Sequence, residues 1–237
     1  MPRQKKPIDL KQINEAVQHF VDHRGLFDDF ARALLRYFHD DPQLAKCIHF
    51  SKYRLKDPDH LKKKLVRKAQ DGRLINKGNL FEKITDLAGV RLIHLHTSQV
   101  PEIHAAILAI IKNQKLNLVK DPVANCWDIE YETMFQEFGI ATRSRDSMYT
   151  TLHYVIRMNE RTKVSCELQV RTLMDEVWGE VSHRIDYPVE SKILACRNQL
   201  KVLARLTTGC TRLVDSIFAS NVPTVTAATK KQRSSTK

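Results

Sequence analysis

The chain has 237 residues, 42% of them hydrophobic, enough for one large domain, or a domain with helical flanks, around a real core. Its formal charge of +12, from 39 basic and 27 acidic side chains, favours a polyanionic partner, either nucleotide phosphates or nucleic acid. A chain that neither spans a membrane nor is secreted is expected: no run of about 18 uncharged apolar residues occurs, and the basic start Met1-Pro-Arg-Gln-Lys-Lys6 is not followed by an apolar stretch.

From Asp9 to about Phe38 the apolar residues recur at three- and four-residue steps, which predicts two amphipathic helices broken near Arg24-Gly25. An extended stretch, Ser51 to Lys56, ends at Pro58, and a short basic helix follows from Asp59 to Ala69 with Leu61 and Leu65 on its inner face. Residues 90–95 read as a strand, and Ser98 as the N-cap of a helix that has Pro101 in its first turn and ends near Asn113. Leu116 to Val119 is a further short strand. Residues 121–147 show no clean period and are expected to be loops with one strand near Asp128 to Glu132. Two strong strands, 149–158 and 163–170, are joined by the polar turn Asn159-Glu160-Arg161-Thr162. Helices over about Arg171–Arg184 and Ser191–Phe218 close the domain. The pattern is α/β or α+β, one mixed central sheet of about five strands flanked by helices. The expected division is an N-terminal helical segment (1–48), a core (49–188), a C-terminal helix (189–220) and a disordered basic tail (221–237).

The five cysteines, Cys47, Cys126, Cys166, Cys196 and Cys210, are widely spaced, odd in number and lack a C-x-x-C pair. They argue against a disulfide framework or zinc knuckle and fit the cytoplasm.

Residues two apart on a strand share a face. Ser165, Glu167 and Gln169 therefore face away from Val164, Cys166, Leu168 and Val170, and Tyr149, Thr151 and His153 lie opposite Leu152, Tyr154 and Ile156. Asp86 precedes a strand and is followed by Gly89, which permits a tight backbone approach or a positive-φ turn. Asp86 and Glu167 together could supply the one or two carboxylates that hold Mg²⁺ beside substrate phosphates. Arg54 and Lys56 project to one side of an extended segment, with Lys62, Lys63, Lys64, Arg67 and Lys68 on the next helix. A solvated helix face or a nucleic-acid footprint would look the same.

Four segments, in this order and spacing, resemble the synthetase domain of RelA/SpoT-type alarmone synthetases from about Phe50 to Tyr187. They are Arg54-x-Lys56 with Lys64, Asp86-x-x-Gly89-x-Arg91, Tyr149-x-x-x-His153 and Glu167-x-Gln169-x-Arg171-Thr172, with Trp178, His183 and Tyr187 trailing. The resemblance implies a nucleotidyltransferase-like fold and a Mg²⁺-dependent pyrophosphokinase that moves pyrophosphate from ATP to the 3′-hydroxyl of GDP or GTP. It implies that Arg54, Lys56, Lys64 and Arg91 bind ATP, with the two arginines against adenine. Tyr149, His153, Gln169, Arg171 and Glu176 would bind the guanine nucleotide. Asp86 would hold the metal, and Glu167, a second metal ligand, would orient or deprotonate the attacking hydroxyl.

Two departures from the family pattern bear on base specificity: Met148 stands where a Gly commonly precedes the Tyr, and Glu176 where some relatives place an Asn. No His-Asp hydrolase site with its downstream Glu-Asp is read upstream of the first motif, so a small stand-alone synthetase is expected. Its long C-terminal helix either self-associates or packs against the sheet. The alternatives are a relative that modifies the tRNA 3′ end or makes adenine alarmones, and a non-catalytic nucleic-acid-binding module.

Overall fold

Short polar side chains set where the helices begin. In the computed structural model, which describes residues 9–144, 148–186 and 193–221, α1 (Leu10–Asp22) starts where Asp9 accepts from the Gln12 amide. α2 (Arg24–Asp40) follows after a one-residue break at His23, whose Nδ1 lies 2.8 Å from the His19 carbonyl. The break thus falls one residue before the expected place, and Gly25 lies inside the first turn of α2. Asp41 caps the short helix α3 (Pro42–Cys47), and Asp57 caps α4 (Pro58–Gln70); each has proline in its first turn, where the missing N–H costs nothing. Between α3 and α4 runs β1 (Ile48–Leu55).

After the single-turn helix α5 (Leu80–Lys83) come β2 (Ala88–His94) and α6 (Val100–Asn113). The expected N-cap at Ser98 belongs instead to a 3-10 turn, Thr97–Gln99, in which the Gln99 side chain accepts from the Leu95 and His96 amides. β3 (Asn117–Leu118) and β4 (Val123–Cys126) are short.

The strand expected over 128–132 is a helix, α7 (Ile129–Glu137). Asp128 accepts from the Glu130 and Tyr131 amides, and Tyr131 and Phe135, one turn apart, are buried together. β5 (Ala141–Ser144), β6 (Thr151–Arg157) and β7 (Ser165–Thr172) lead into α8 (Leu173–Asp186) and α9 (Leu194–Ser220). In the β6–β7 connection Asn159 Oδ1 accepts from the Thr162 amide at 2.8 Å, as hairpin chemistry predicts.

Among the described residues seven strands form one mixed sheet, two more than expected, in the order β1-β2-β7-β6-β4-β5, with β3 also on β6. β2–β7 and β4–β5 are parallel and the other pairs antiparallel. One sheet face is covered by a core that runs unbroken from Ile13, Phe20, Phe27 and Leu34 of α1 and α2 to Cys166, Leu168 and Val170 of β7. Each such large side chain contributes about 2 kcal/mol of apolar burial. The N-terminal helices are therefore a layer of the same core. Tyr187, residues 222–237 and the boundary expected at 188 lie outside the described residues.

Candidate active site

Four strands bring the motif residues into two rows across the uncovered face of the sheet. Register pairs Arg54 of β1 with Gly89 of β2 and Gly89 with Glu167 of β7, forming one row. The next is Lys52, Arg91, Gln169 and then His153 of β6. The alternation expected for β6 and β7 holds, because Leu152, Tyr154 and Ile156 enter the core with Cys166, Leu168 and Val170. Between the core residues of β7, Glu167 and Gln169 face a cleft of about 240 Å³ lined also by Lys52, Arg54, Asp86, Arg91 and Glu180 among others.

Gly89 has no positive φ. A Cβ there would meet the Glu167 carbonyl at 3.7 Å and Arg54 at 3.9 Å, ordinary contacts. What glycine contributes is an open cleft floor between Arg54 and Glu167, not a turn.

Asp86 is the anchor of the cationic end. Its Oδ2 accepts from Lys56 Nζ at 2.8 Å and from Lys64 Nζ at 2.7 Å, while Oδ1 is buried without a hydrogen-bond partner. Burial alone would raise this carboxyl, but the two ammonium groups more than offset it and hold it at about 2. On the outer surface of α4, Lys62, Lys63 and Arg67 are exposed.

Glu167 sits in a different environment. Its Oε1 lies 3.2 Å from His153 Nδ1, and its Oε2 accepts from Gln169 Nε2 at 2.8 Å. Burial pushes this carboxyl up, yet the His153 and Gln169 hydrogen bonds leave it net below its ordinary range. Arg171, four residues on, does not pair with Glu167. Arg171 Nη2 instead donates to Gln169 Oε1 at 2.6 Å and to the Tyr149 hydroxyl at 3.3 Å, with its guanidinium 5.3 Å from the Tyr149 ring centre. Its Nε stands 3.2 Å from Glu176 Oε2, an ion pair without hydrogen-bond alignment.

Tyr149 precedes β6 rather than lying in it, half-buried, with His153 and Trp178 as ring neighbours at 5.8 and 6.2 Å. Burial raises its hydroxyl, which stays protonated. Met148, in the place of the family's glycine, has φ of 57°, the left-handed region that glycine enters without cost.

Glu176 is almost fully buried and its carboxylate is in use: Oε1 lies 2.6 Å from Lys52 Nζ and 3.0 Å from Arg91 Nη1. Glu180, one turn on, bonds the same two cations at 3.0 and 2.5 Å. Lys52 and Glu180 were not singled out from sequence. Their signals were the two-residue spacing from Arg54 on a strand and the four-residue spacing from Glu176 on a helix.

A mixed sheet with two separated acids set among guanidinium and ammonium groups on its open face defines a site for a polyanionic nucleotide, in which one acid is neutralised by lysines and the other is left to a histidine and an amide. The chain belongs to the RelA/SpoT family: residues 53–192 match the region found in RelA / SpoT proteins. Over 199 residues it is 26% identical to GTP pyrophosphokinase YwaC of Bacillus subtilis (strain 168), covering 75% of this chain and 84% of that protein. Its fold is similar to that of a GTP pyrophosphokinase family protein from Streptococcus pneumoniae, with TM-score 0.62, 19% identity and coverage of 86% of this chain and 92% of the other. It is also similar to small alarmone synthetase 1 from Bacillus subtilis bound to its product pppGpp, with TM-score 0.53, 17% identity and coverage of 87% and 94%.

Proposed function

We propose that the protein is a (p)ppGpp synthetase, transferring the β,γ-pyrophosphoryl group of ATP to the 3′-hydroxyl of GDP or GTP. The observation that carries this reading is the row Arg54–Gly89–Glu167, with Asp86 and its two lysines at one end, in a chain of the RelA/SpoT family.

Arg54 and Arg91 are diagonal neighbours on adjacent strands, roughly 7 Å apart at the backbone, room for a flat adenine between two guanidinium faces. Lys56 and Lys64 take the phosphates. Tyr149, flanked by Arg171, offers a ring face for the acceptor guanine, and His153 lies beside the acceptor phosphates. Glu167, ionised at neutral pH, accepts the 3′-hydroxyl proton in a hydrogen bond and so aims that oxygen at the β-phosphorus. The 3′-oxygen forms its bond to Pβ as the bond from Pβ to the α,β-bridging oxygen breaks. AMP leaves, and the hydroxyl proton passes to Glu167. Positioning and charge neutralisation supply most of the rate in such transfers.

The donor set fits Mg²⁺. Asp86 Oδ1 is buried and unpartnered, Glu167 is close enough to feel its charge, and a hard cation of this kind takes one or two carboxylates, with phosphates and waters completing its shell. When bound, the ion would neutralise charge on the β- and γ-phosphates.

The reaction on ATP and guanine nucleotides supports a cytoplasmic location, and no helix among the described residues is long and apolar enough to cross a membrane. α9 buries Leu200, Ala204 and Thr211 and exposes Val202, Leu206, Leu213 and Ile217, which supports self-association through this helix.

The test is incubation with Mg²⁺ and γ-labelled ATP, offering GDP, GTP, ATP or deacylated tRNA separately. Label in guanosine tetra- or pentaphosphate is expected. Label confined to tRNA would move the acceptor to a polyanion bound along Lys62, Lys63 and Arg67, and AMP release with none of the acceptors would overturn the enzymatic reading.

A further inference from the structure

The Arg91 guanidinium is held along its edge. Nε donates to Gln169 Oε1 at 3.1 Å, and Nη1 donates to Glu176 Oε1 at 3.0 Å and to Glu180 Oε1 at 2.5 Å. The five N–H groups of an arginine lie in one plane, so carboxylates on that edge leave both π-faces open, and it is a face that a base stacks on. The acids of α8 therefore do not compete with a base for Arg91. They fix the plane on which it would rest.

The two acids differ in depth. The Glu176 side chain is 6% exposed and bridges Arg91 to Arg171, whereas that of Glu180 is 45% exposed, lines the cleft and touches only the Arg91 side. Lys52, in register with Arg91, bonds both carboxylates and keeps them from facing each other uncompensated. Five residues before Arg91, just ahead of β2 and roughly 15 Å of chain away, Asp86 carries Lys56 and Lys64. The two ends of the cleft thus differ in charge: at the α8 end Glu176 and Glu180 are balanced by Lys52 and Arg91, while at the α4 end Lys56 and Lys64 outnumber Asp86. A triphosphate is drawn to the second rather than to the first.

We infer that Glu180 is a positioning residue for the donor nucleotide: with Lys52 it sets the plane of the Arg91 guanidinium and the direction in which the nucleotide lies in the cleft. This rests on the proposed reading of Arg91 as a donor-side cation. It also gives Glu180 a task that Glu176, buried between two arginines, cannot perform for one nucleotide alone.

The experiment is calorimetric titration of the full chain with the non-hydrolysable analogue AMPCPP, and separately with GDP, for the unaltered protein, Glu180→Gln, Arg91→Ala and the double variant. Loss of a partly exposed charge pair predicts about fivefold weaker AMPCPP binding for Glu180→Gln. GDP affinity should stay within about twofold, and Glu180→Gln should cause no further loss when Arg91 is already alanine. Unchanged AMPCPP binding, an equal loss of GDP binding, or an added loss in the Arg91→Ala background would each overturn the inference while leaving the synthetase reading in place. Failure of the unaltered protein to bind AMPCPP would overturn the donor-site reading itself.

Discussion

The Gln169 amide donates to Glu167 Oε2 at 2.8 Å, so the acid proposed to face the acceptor is oriented by its own strand neighbour two residues on. The carbonyl of the same amide accepts from Arg91 Nε and Arg171 Nη2, which ties the guanidinium groups proposed for the donor and acceptor sides to one side chain. Gln169→Leu keeps the volume and removes all three bonds. It should lower kcat/KM by about 100-fold, the scale of loss when an orienting partner is removed. Steady-state assays with ATP and GDP measure it; activity near that of the unaltered protein would remove Gln169 from the site's machinery.

Asp86→Asn should reduce turnover by roughly 1000-fold, because one change removes the proposed metal ligand and leaves Lys56 buried beside a neutral amide. It also has a stability signature. The carboxyl sits at about 2 in the folded protein, below its ordinary 3.8, so its contribution is fully present above about pH 4 and is lost as pH falls through 2. That contribution is roughly 2 kcal/mol. Acid titrations followed by circular dichroism should therefore be flatter between pH 4 and 2 for the Asn variant.

Asp175 behaves in the opposite sense. It is buried, accepts from Thr172 Oγ1 at 2.6 Å, and faces Arg171 and Asp215; burial pushes its carboxyl up to about 6. The folded protein keeps this proton after the unfolded chain has released it, so stability is lost as pH rises from about 4 through 6. Asp175→Asn keeps an acceptor for Thr172 and removes the buried charge. Its melting temperature should exceed that of the unaltered protein at pH 8, by the equivalent of about 3 kcal/mol, and the difference should vanish near pH 4.

α4, α6 and α7 end in the same motif, in which the residue after the cap is left-handed: Gly72, Lys115 and Gly139. The Leu116 and Lys115 amides close on the Ile111 and Lys112 carbonyls. Only the middle helix does this with a side chain at positive φ. Lys115→Gly should stabilise the protein by about 1 kcal/mol, read as a rise of a few degrees in melting temperature with activity unchanged.

Much of the site was legible along the chain because strand geometry is local. A two-residue repeat places Glu167, Gln169 and Arg171 on one face of any strand, and the apolar residues between them say which face is core. Capping is local too, and Asp128 with Tyr131 and Phe135 held the signal for α7; the stretch was misread because nine residues of helix carry only two buried positions. What no local pattern contains is pairing. Asp86 meets Lys56 and Lys64 only because β1 and α4 fold against β2, and Glu176 is consumed by Lys52, Arg91 and Arg171 only because α8 returns over a sheet ordered β1-β2-β7. The sequence by itself determined which residue types face together on each element. The tertiary structure decided which charges neutralise one another, since those energies depend on distances across strands and helices far apart in the chain.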